Sequence, residues 1–208
     1  MSSSSVLRWG DQSPGDVREA RGRVLDAAQR CLADNGYLRV TMEAIAAEAK
    51  ISRATLYRYF SSRNEVLSGV VVRDAERYLE RIHPRVEAVP DLGSAILEFI
   101  ASTLKAARSD PSIALMFTSD DALDTGGILA ESSVELFEMV TDFFRPLFEQ
   151  RADQLRVGVT VEDASEWILR TLLSLLTVRG PKRRSSTALD AYLSSYLLPV
   201  IVADDDQS

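Results

Sequence analysis

The chain has 208 residues, 46% hydrophobic and 26% charged, with one cysteine and one histidine; this excludes a disordered chain, an intramolecular disulfide and a His/Cys zinc cage. Its net charge of −7 argues against a polyanionic partner until the chain is divided, because residues 1–85 hold 14 Lys and Arg against 11 Asp and Glu, and the remainder 10 against 20. A basic amino-terminal third on an acidic body suits a protein that meets nucleic acid at one end, the alternative being ordinary scatter of charge.

Residues 1–15 are rich in Ser, Gly and Asp and read as a mobile arm. From there the hydrophobic period is helical, with no convincing alternation, so an all-α fold is expected. The first helix runs from about Asp16 to Asp34, with Val17, Val24, Ala28, Cys31 and Leu32 in one stripe, and Asn35-Gly36 ends it. Thr41 caps a short second helix, Met42–Ala49, and Ser52 caps a third, Arg53–Tyr59. Ser62-x-x-Glu65 is a capping box opening a fourth helix to about Ile82; His83 then caps its last carbonyls, and Pro84 and Pro90 punctuate the chain. Further helices are expected near 91–108, 111–118, 128–150, 161–179 and 187–203, with Pro146 and Pro199 bending or shortening two of them. No apolar run approaches the roughly 20 residues needed to cross a membrane, and the first residues lack a secretion core, so a cytoplasmic protein without membrane contact is expected.

The segment from Thr41 to Phe60 carries the most chemistry. Two short helices joined by about three residues, with Ala46, Ala47 and Ala49 at the crossing, form the arrangement that projects a second helix into a major groove. Ile45, Ile51, Leu56 and Phe60 supply an apolar knot, Leu56 and Phe60 being four apart on one face. The opposite face carries Ala54, Thr55 and Arg58, flanked by Arg53 and Tyr57. Arginine can pair with guanine edges, an alanine methyl can meet thymine, and hydroxyls can reach phosphates. The plainer alternative for Tyr57 and Tyr59 is packing with a wet hydroxyl, and for Arg53 and Arg58 a solvated charge.

Thr-x-x-x-Ile-Ala-x-x-Ala at 41–49, Ile-Ser-x-Ala-Thr-Leu-Tyr-x-Tyr-Phe at 51–60 and Ser-x-x-Glu at 62–65 resemble the DNA-binding region of TetR-family transcriptional regulators. The resemblance runs over about residues 17–70. It implies a homodimer whose carboxyl-terminal domain binds a small molecule and thereby releases operator DNA. Carried over by position, it places Arg53, Ala54, Tyr57 and Arg58 towards bases, and Thr41, Thr55, Tyr59 and Arg63 towards phosphates. Two positions depart from the pattern. Lys50 stands where the family usually has glycine, so either the turn is reshaped or Lys50 accepts a left-handed backbone while its ammonium gains a phosphate. Tyr59 stands where histidine is common.

The domains expected are a helix-turn-helix at 16–62 and, at 63–208, a connecting helix with a larger helical ligand-binding and dimerisation domain. Phe99, Met116, Phe117, Phe137, Phe144 and Trp167 are candidates to line an apolar effector cavity, with core packing as the bland reading of each, and Thr118, Asp121 or Arg170 could supply a polar contact. The last two helices are apolar around most of their circumference, which calls for a core on one side and a second copy on the other; Ile168, Leu172, Leu175, Leu176, Leu189, Tyr192 and Tyr196 are the candidate dimer residues. Cys31 reads as a small core group. No phosphate loop, nucleophile elbow or histidine triad points to an enzyme, and no cofactor is implied. The expected function is a homodimeric repressor released from a palindromic double-stranded operator by a small lipophilic ligand. A constitutive or architectural DNA-binding protein, a transcriptional activator and a purely protein-binding helical module are the rivals.

Overall fold

Cap chemistry sets most helix boundaries in the computed structural model, which describes residues 17–36, 39–109, 132–178, 180–182 and 184–203. The helices are α1 Val17–Asn35, α2 Met42–Glu48, α3 Arg53–Tyr57, α4 Arg63–Glu87, α5 Leu92–Ser109, α6 Ser133–Gln150, α7 Val161–Thr177 and α8 Ser186–Tyr196, with 3-10 turns at Ala152–Gln154 and Leu198–Val200. Among the described residues there is no strand, only one antiparallel bridge between Leu155 and Val202. The fold is all-α, as expected. The arm at 1–15 and the helix expected at 111–118, with Met116, Phe117, Thr118 and Asp121, lie outside the described residues.

Thr41, Ser52, Thr160 and Ser185 each accept a hydrogen bond from the N–H three residues on, at 3.2, 3.0, 3.1 and 3.3 Å, opening α2, α3, α7 and α8. Gly36, at φ 70°, closes α1 by donating to the Leu32 carbonyl at 2.9 Å. At the start of α4 the Ser62 hydroxyl accepts from Glu65 N–H at 3.0 Å, but the Glu65 carboxylate reaches past Ser62 to the Ser61 N–H at 2.6 Å and hydroxyl at 2.9 Å. Burial pushes the Glu65 carboxyl up, yet the Ser61 donors and Arg21 outweigh it and leave it below the usual glutamate range. Its stabilising contribution is therefore full above the ordinary value of about 4.3 and disappears as pH falls through the lower folded value. Glu65→Gln should cost about 1 kcal/mol at pH 7 and flatten the acid decline of thermal stability below pH ~4, read by circular-dichroism melts.

Two prolines behave differently from each other. Pro84 was expected to end α4, but the helix continues to Glu87, so His83 sits inside it rather than capping it, 3.6 Å from Glu87 and edge-on to Phe143. The missing N–H removes one bond to the preceding turn, and the apolar side chains of Ile82 and Val86, both buried, hold the continuation in place. Pro199 instead ends α8 early: the helix stops at Tyr196 and a 3-10 turn follows.

The chain divides into two compact units, and within the described residues one comprises 17–73 with 132–133, the other 74–109 with 134–203. The division falls inside α4, between Arg73 and Asp74, rather than at its start. In the first unit Ala20, Val24, Ala28, Cys31 and Leu32 of α1 are buried with Ile45, Ile51, Leu56 and Phe60. Val17 is mostly exposed and Ala20 takes its place in the stripe. Burial pushes the Cys31 thiol up, as suits a core group. In the second unit Phe99, Phe143, Phe144 and Phe148 form a continuous aromatic cluster, with ring centroids 5.0 to 5.4 Å apart along the chain of contacts. Arg151 donates to the carbonyls of Glu87, Val89 and Asp91, fixing the turn between α4 and α5.

Candidate nucleic-acid interface and ligand cleft

α3 is only five residues long and could not persist alone, so its orientation is borrowed from its surroundings. Leu56 and Phe60 are buried beneath it, and the Arg21 guanidinium lies 4.0 Å over the Phe60 ring while donating to the Tyr59 carbonyl and reaching Glu65 at 3.5 Å. Arg30 of α1 pairs with Glu48 of α2 at 2.6 Å, and Arg73 of α4 pairs with Asp26 of α1 at 2.7 Å. These ties leave one face of α3 outward. Arg53, Ala54, Tyr57 and Arg58 are all exposed, with Tyr57 at 46%.

The turn before α3 resolves the alternative at Lys50. Its φ is 55°, its N–H donates to the Ala47 carbonyl at 3.0 Å, and the Ile51 N–H donates to the Ala46 carbonyl at 3.0 Å. This paired closure is the Schellman motif, built on a lysine where glycine costs least. Lys50→Gly should therefore stabilise the protein by about 1 kcal/mol in thermal melts. If the exposed ammonium meets a phosphate, the same variant should lower the salt slope of DNA binding by about one.

The remaining candidates sort by what already holds them. Thr41 is exposed, its hydroxyl capping α2. Thr55 is buried, and its hydroxyl lies 2.8 Å from that of Ser52, so it belongs to the α3 cap as well as to the face. Tyr59 is half-buried under the Arg58 guanidinium, 5.5 Å from its ring centroid, and Arg63 is half-buried with its Nε donating to the Val40 carbonyl at 2.6 Å. Arg53 is paired with Glu43 of α2 at 2.8 Å. The backbone donor at the start of α2, and then Arg53, hold the Glu43 carboxyl below its usual range. Sequence reasoning did not single out Glu43, since nothing in a linear motif marks an acid ten positions away as the partner of Arg53.

In the second unit, Phe99 and Phe144 lie in the core cluster and Phe137 is half-buried, with the Arg170 guanidinium 5.4 Å from its ring. Arg170 is also paired with Glu166 at 2.6 Å. Trp167 is 47% exposed. Ile168 and Leu172, named as dimer candidates, are buried within the protomer and have no surface left for a second copy. Leu175, Leu176 and Leu189 are half-buried, whereas Tyr192 and Tyr196 are exposed and touch each other with ring centroids 4.9 Å apart. A cleft of about 370 Å³ lies beside the aromatic cluster, lined by Leu79, His83, Met139 and Phe143 with Glu76 and Glu80 at hand. The i, i+4 spacing of Met139 and Phe143, and of Leu79 and His83, was the available signal for it.

Residues 24–70 match the profile of a family described as bacterial regulatory proteins, tetR family. An uncharacterized HTH-type transcriptional regulator of Mycobacterium tuberculosis is 30% identical over 182 residues, 88% of this chain and 85% of its own. The HTH-type transcriptional repressor KstR of Rhodococcus jostii is 36% identical over 74 residues, 36% of this chain and 35% of its own. Among solved structures, the TetR family repressor AlkX from a Dietzia strain, implicated in biodegradation of n-alkanes, has a TM-score of 0.63 at 21% identity, over 88% of this chain and 97% of that one. The Thermus thermophilus repressor FadR, in complex with lauroyl-CoA, has a TM-score of 0.56 at 19% identity, over 90% and 98%. These two likenesses establish a shared fold.

Proposed function

The chain belongs to the tetR family of bacterial regulatory proteins and is a transcriptional regulator, and on that premise we propose that it is a homodimeric repressor released from a near-palindromic operator by a small lipophilic ligand. The observation that carries the DNA reading is the outward face of α3: Arg53, Ala54, Tyr57 and Arg58 are exposed on a helix whose back, through Leu56 and Phe60, is sealed into the first unit. Two such helices, one per protomer, enter successive major grooves with half-sites about one helical turn or a multiple apart. Lys50 and Thr41 contribute phosphate contacts that fix register without reading sequence.

The effector site is the cleft at Leu79, His83, Met139 and Phe143, and its apolar lining supports a lipophilic ligand. The lauroyl chain carried by the FadR complex belongs to the same chemical class. One wall of the cleft is α4, whose residues before Asp74 belong to the DNA-binding unit. A ligand that favours one position of this helix changes the spacing of the two reading heads, and a coupling of about 1–3 kcal/mol weakens DNA binding roughly 5- to 150-fold. The dimer forms through α7 and α8, where Trp167, Tyr192 and Tyr196 present apolar surface to water.

Selection of bound sequences from random duplexes tests this directly. An inverted repeat with steeply salt-dependent binding is expected. Recovery of a single unrepeated site, or of no preferred sequence, overturns the dimeric operator reading. A gel shift on the selected operator with medium-chain alkanes, alcohols and acids then tests release, and an operator complex that none of them weakens removes the lipophilic-effector assignment.

A further inference from the structure

A second concavity in the carboxyl-terminal unit, about 390 Å³ in volume, opens among the end of α4, α5 and the start of α8. Its chemistry is opposite to that of the apolar cleft. Arg85, Lys105, Arg108 and Arg184 line it together with Glu98 and Asp190, a local charge of +2 in a region whose sequence from residue 86 onward holds 20 acidic side chains against 10 basic ones.

The four cations are unequally engaged. Arg85 is paired with Glu98 at 2.5 Å, and that carboxylate also accepts from the Ser102 hydroxyl at 2.7 Å. The Arg184 guanidinium lies 4.0 Å over the Tyr192 ring. Lys105 and Arg108 are exposed, three apart on one face of α5, and have neither an ion pair nor a ring partner among the described residues. Cations in the last turns of a helix offset its dipole by about 0.3–1 kcal/mol. That accounts for their position along α5 but not for Arg184 and the amino end of α8 at Ser185 and Ser186, which add positive potential to the same groove. Like potentials converging across a concavity repel, and an anion between them relieves the repulsion. Ala101, Leu104 and Leu189 add apolar lining.

We propose that this groove binds a small organic phosphate monoester, its dianionic head held by Lys105, Arg108 and Arg184 and its compact apolar body resting on Leu104 and Leu189. A phosphate monoester carries about −1.5 to −2 charges at pH 7, matching the groove's excess, and its three oxygens suit several converging donors. The site differs from the effector cleft, whose Glu76 and Glu80 disfavour anions, and it stands whether or not the lipophilic effector reading holds.

The test is isothermal titration of the full chain with 1-naphthyl phosphate, 1-naphthol and inorganic phosphate. Saturable binding of the phosphate ester at one per chain is expected, at least about tenfold tighter than either 1-naphthol or inorganic phosphate, the scale of one charge-assisted hydrogen bond. The double variant Lys105→Ala/Arg108→Ala removes two exposed, unpaired cations and should stay cooperatively folded, melting slightly below the parent as the α5 dipole loses its offset, while binding about tenfold or more weakly. Arg145→Ala, which breaks pairs with Asp142 and Glu162 outside the groove, should bind as the parent does. No saturable binding, equal affinity for 1-naphthol, equal affinity for inorganic phosphate, or an unchanged double variant each overturns the proposal.

Discussion

Arg58→Ala is expected to weaken binding to the selected operator by about 1–3 kcal/mol, roughly 5- to 150-fold, and to relax preference at one position of each half-site. Arg58 is exposed at the end of α3 and lies over the Tyr59 ring, so the substitution removes the proposed base contact without disturbing the core. Arg53→Ala should show a smaller loss, because Arg53 must first leave Glu43, 2.8 Å away. An exposed pair of this kind is weak, and Glu43→Gln should tighten operator binding slightly. Arg63→Ala separates phosphate contact from base reading: it should weaken all duplexes alike and, since Arg63 also holds the Val40 carbonyl, lower thermal stability. Fluorescence anisotropy on the operator and on a scrambled duplex reads all four variants. Unchanged operator affinity in both Arg58→Ala and Arg53→Ala would falsify the base-contact assignment.

Tyr196→Asp is expected to convert the dimer to monomers in size-exclusion chromatography with light scattering, and to cost operator affinity about 100-fold or more, since each half-site must then be bound without the help of the other. Tyr196 is 69% exposed on α8 and stacks beside Tyr192, and Trp167 on α7 and Val178 just past its end are exposed. In the proposed seam a carboxylate would have no partner, which is why one substitution suffices. Asp in place of Val157, fully exposed between α6 and α7, should change neither mass nor affinity. A Tyr196→Asp protein that still elutes as a dimer places the interface elsewhere.

The features set by local chemistry were readable in the linear sequence, and those set by which side of a helix meets the core were not. Thr41, Ser52, Thr160 and Ser185 act within three residues of themselves, so cap and helix start are written together. The knot of Ile45, Ile51, Leu56 and Phe60 followed from helical spacing. In α7 the apolar side chains nearly encircle the helix, and periodicity alone cannot say that Ile168 and Leu172 turn inward while Trp167 turns outward. The apolar cleft joins α4 to α6 across more than fifty residues, and the Glu43 to Arg53 pair joins two helices; neither has a sequence signature. Thr55 shows a conflict of roles, since the hydroxyl expected at a phosphate also serves the helix that carries it.

Arg21 braces α3 from behind. Its single planar fork meets an aromatic face, a main-chain oxygen and a carboxylate from the far side of α3, a combination that lysine's compact ammonium cannot reproduce. Exchanging one for the other would keep every exposed side chain of α3 and the same overall charge, yet hold those side chains on a looser mount. On the proposed DNA reading, sequence discrimination is then partly a mechanical property of α1, and drift in target choice can begin at a residue behind the reading face.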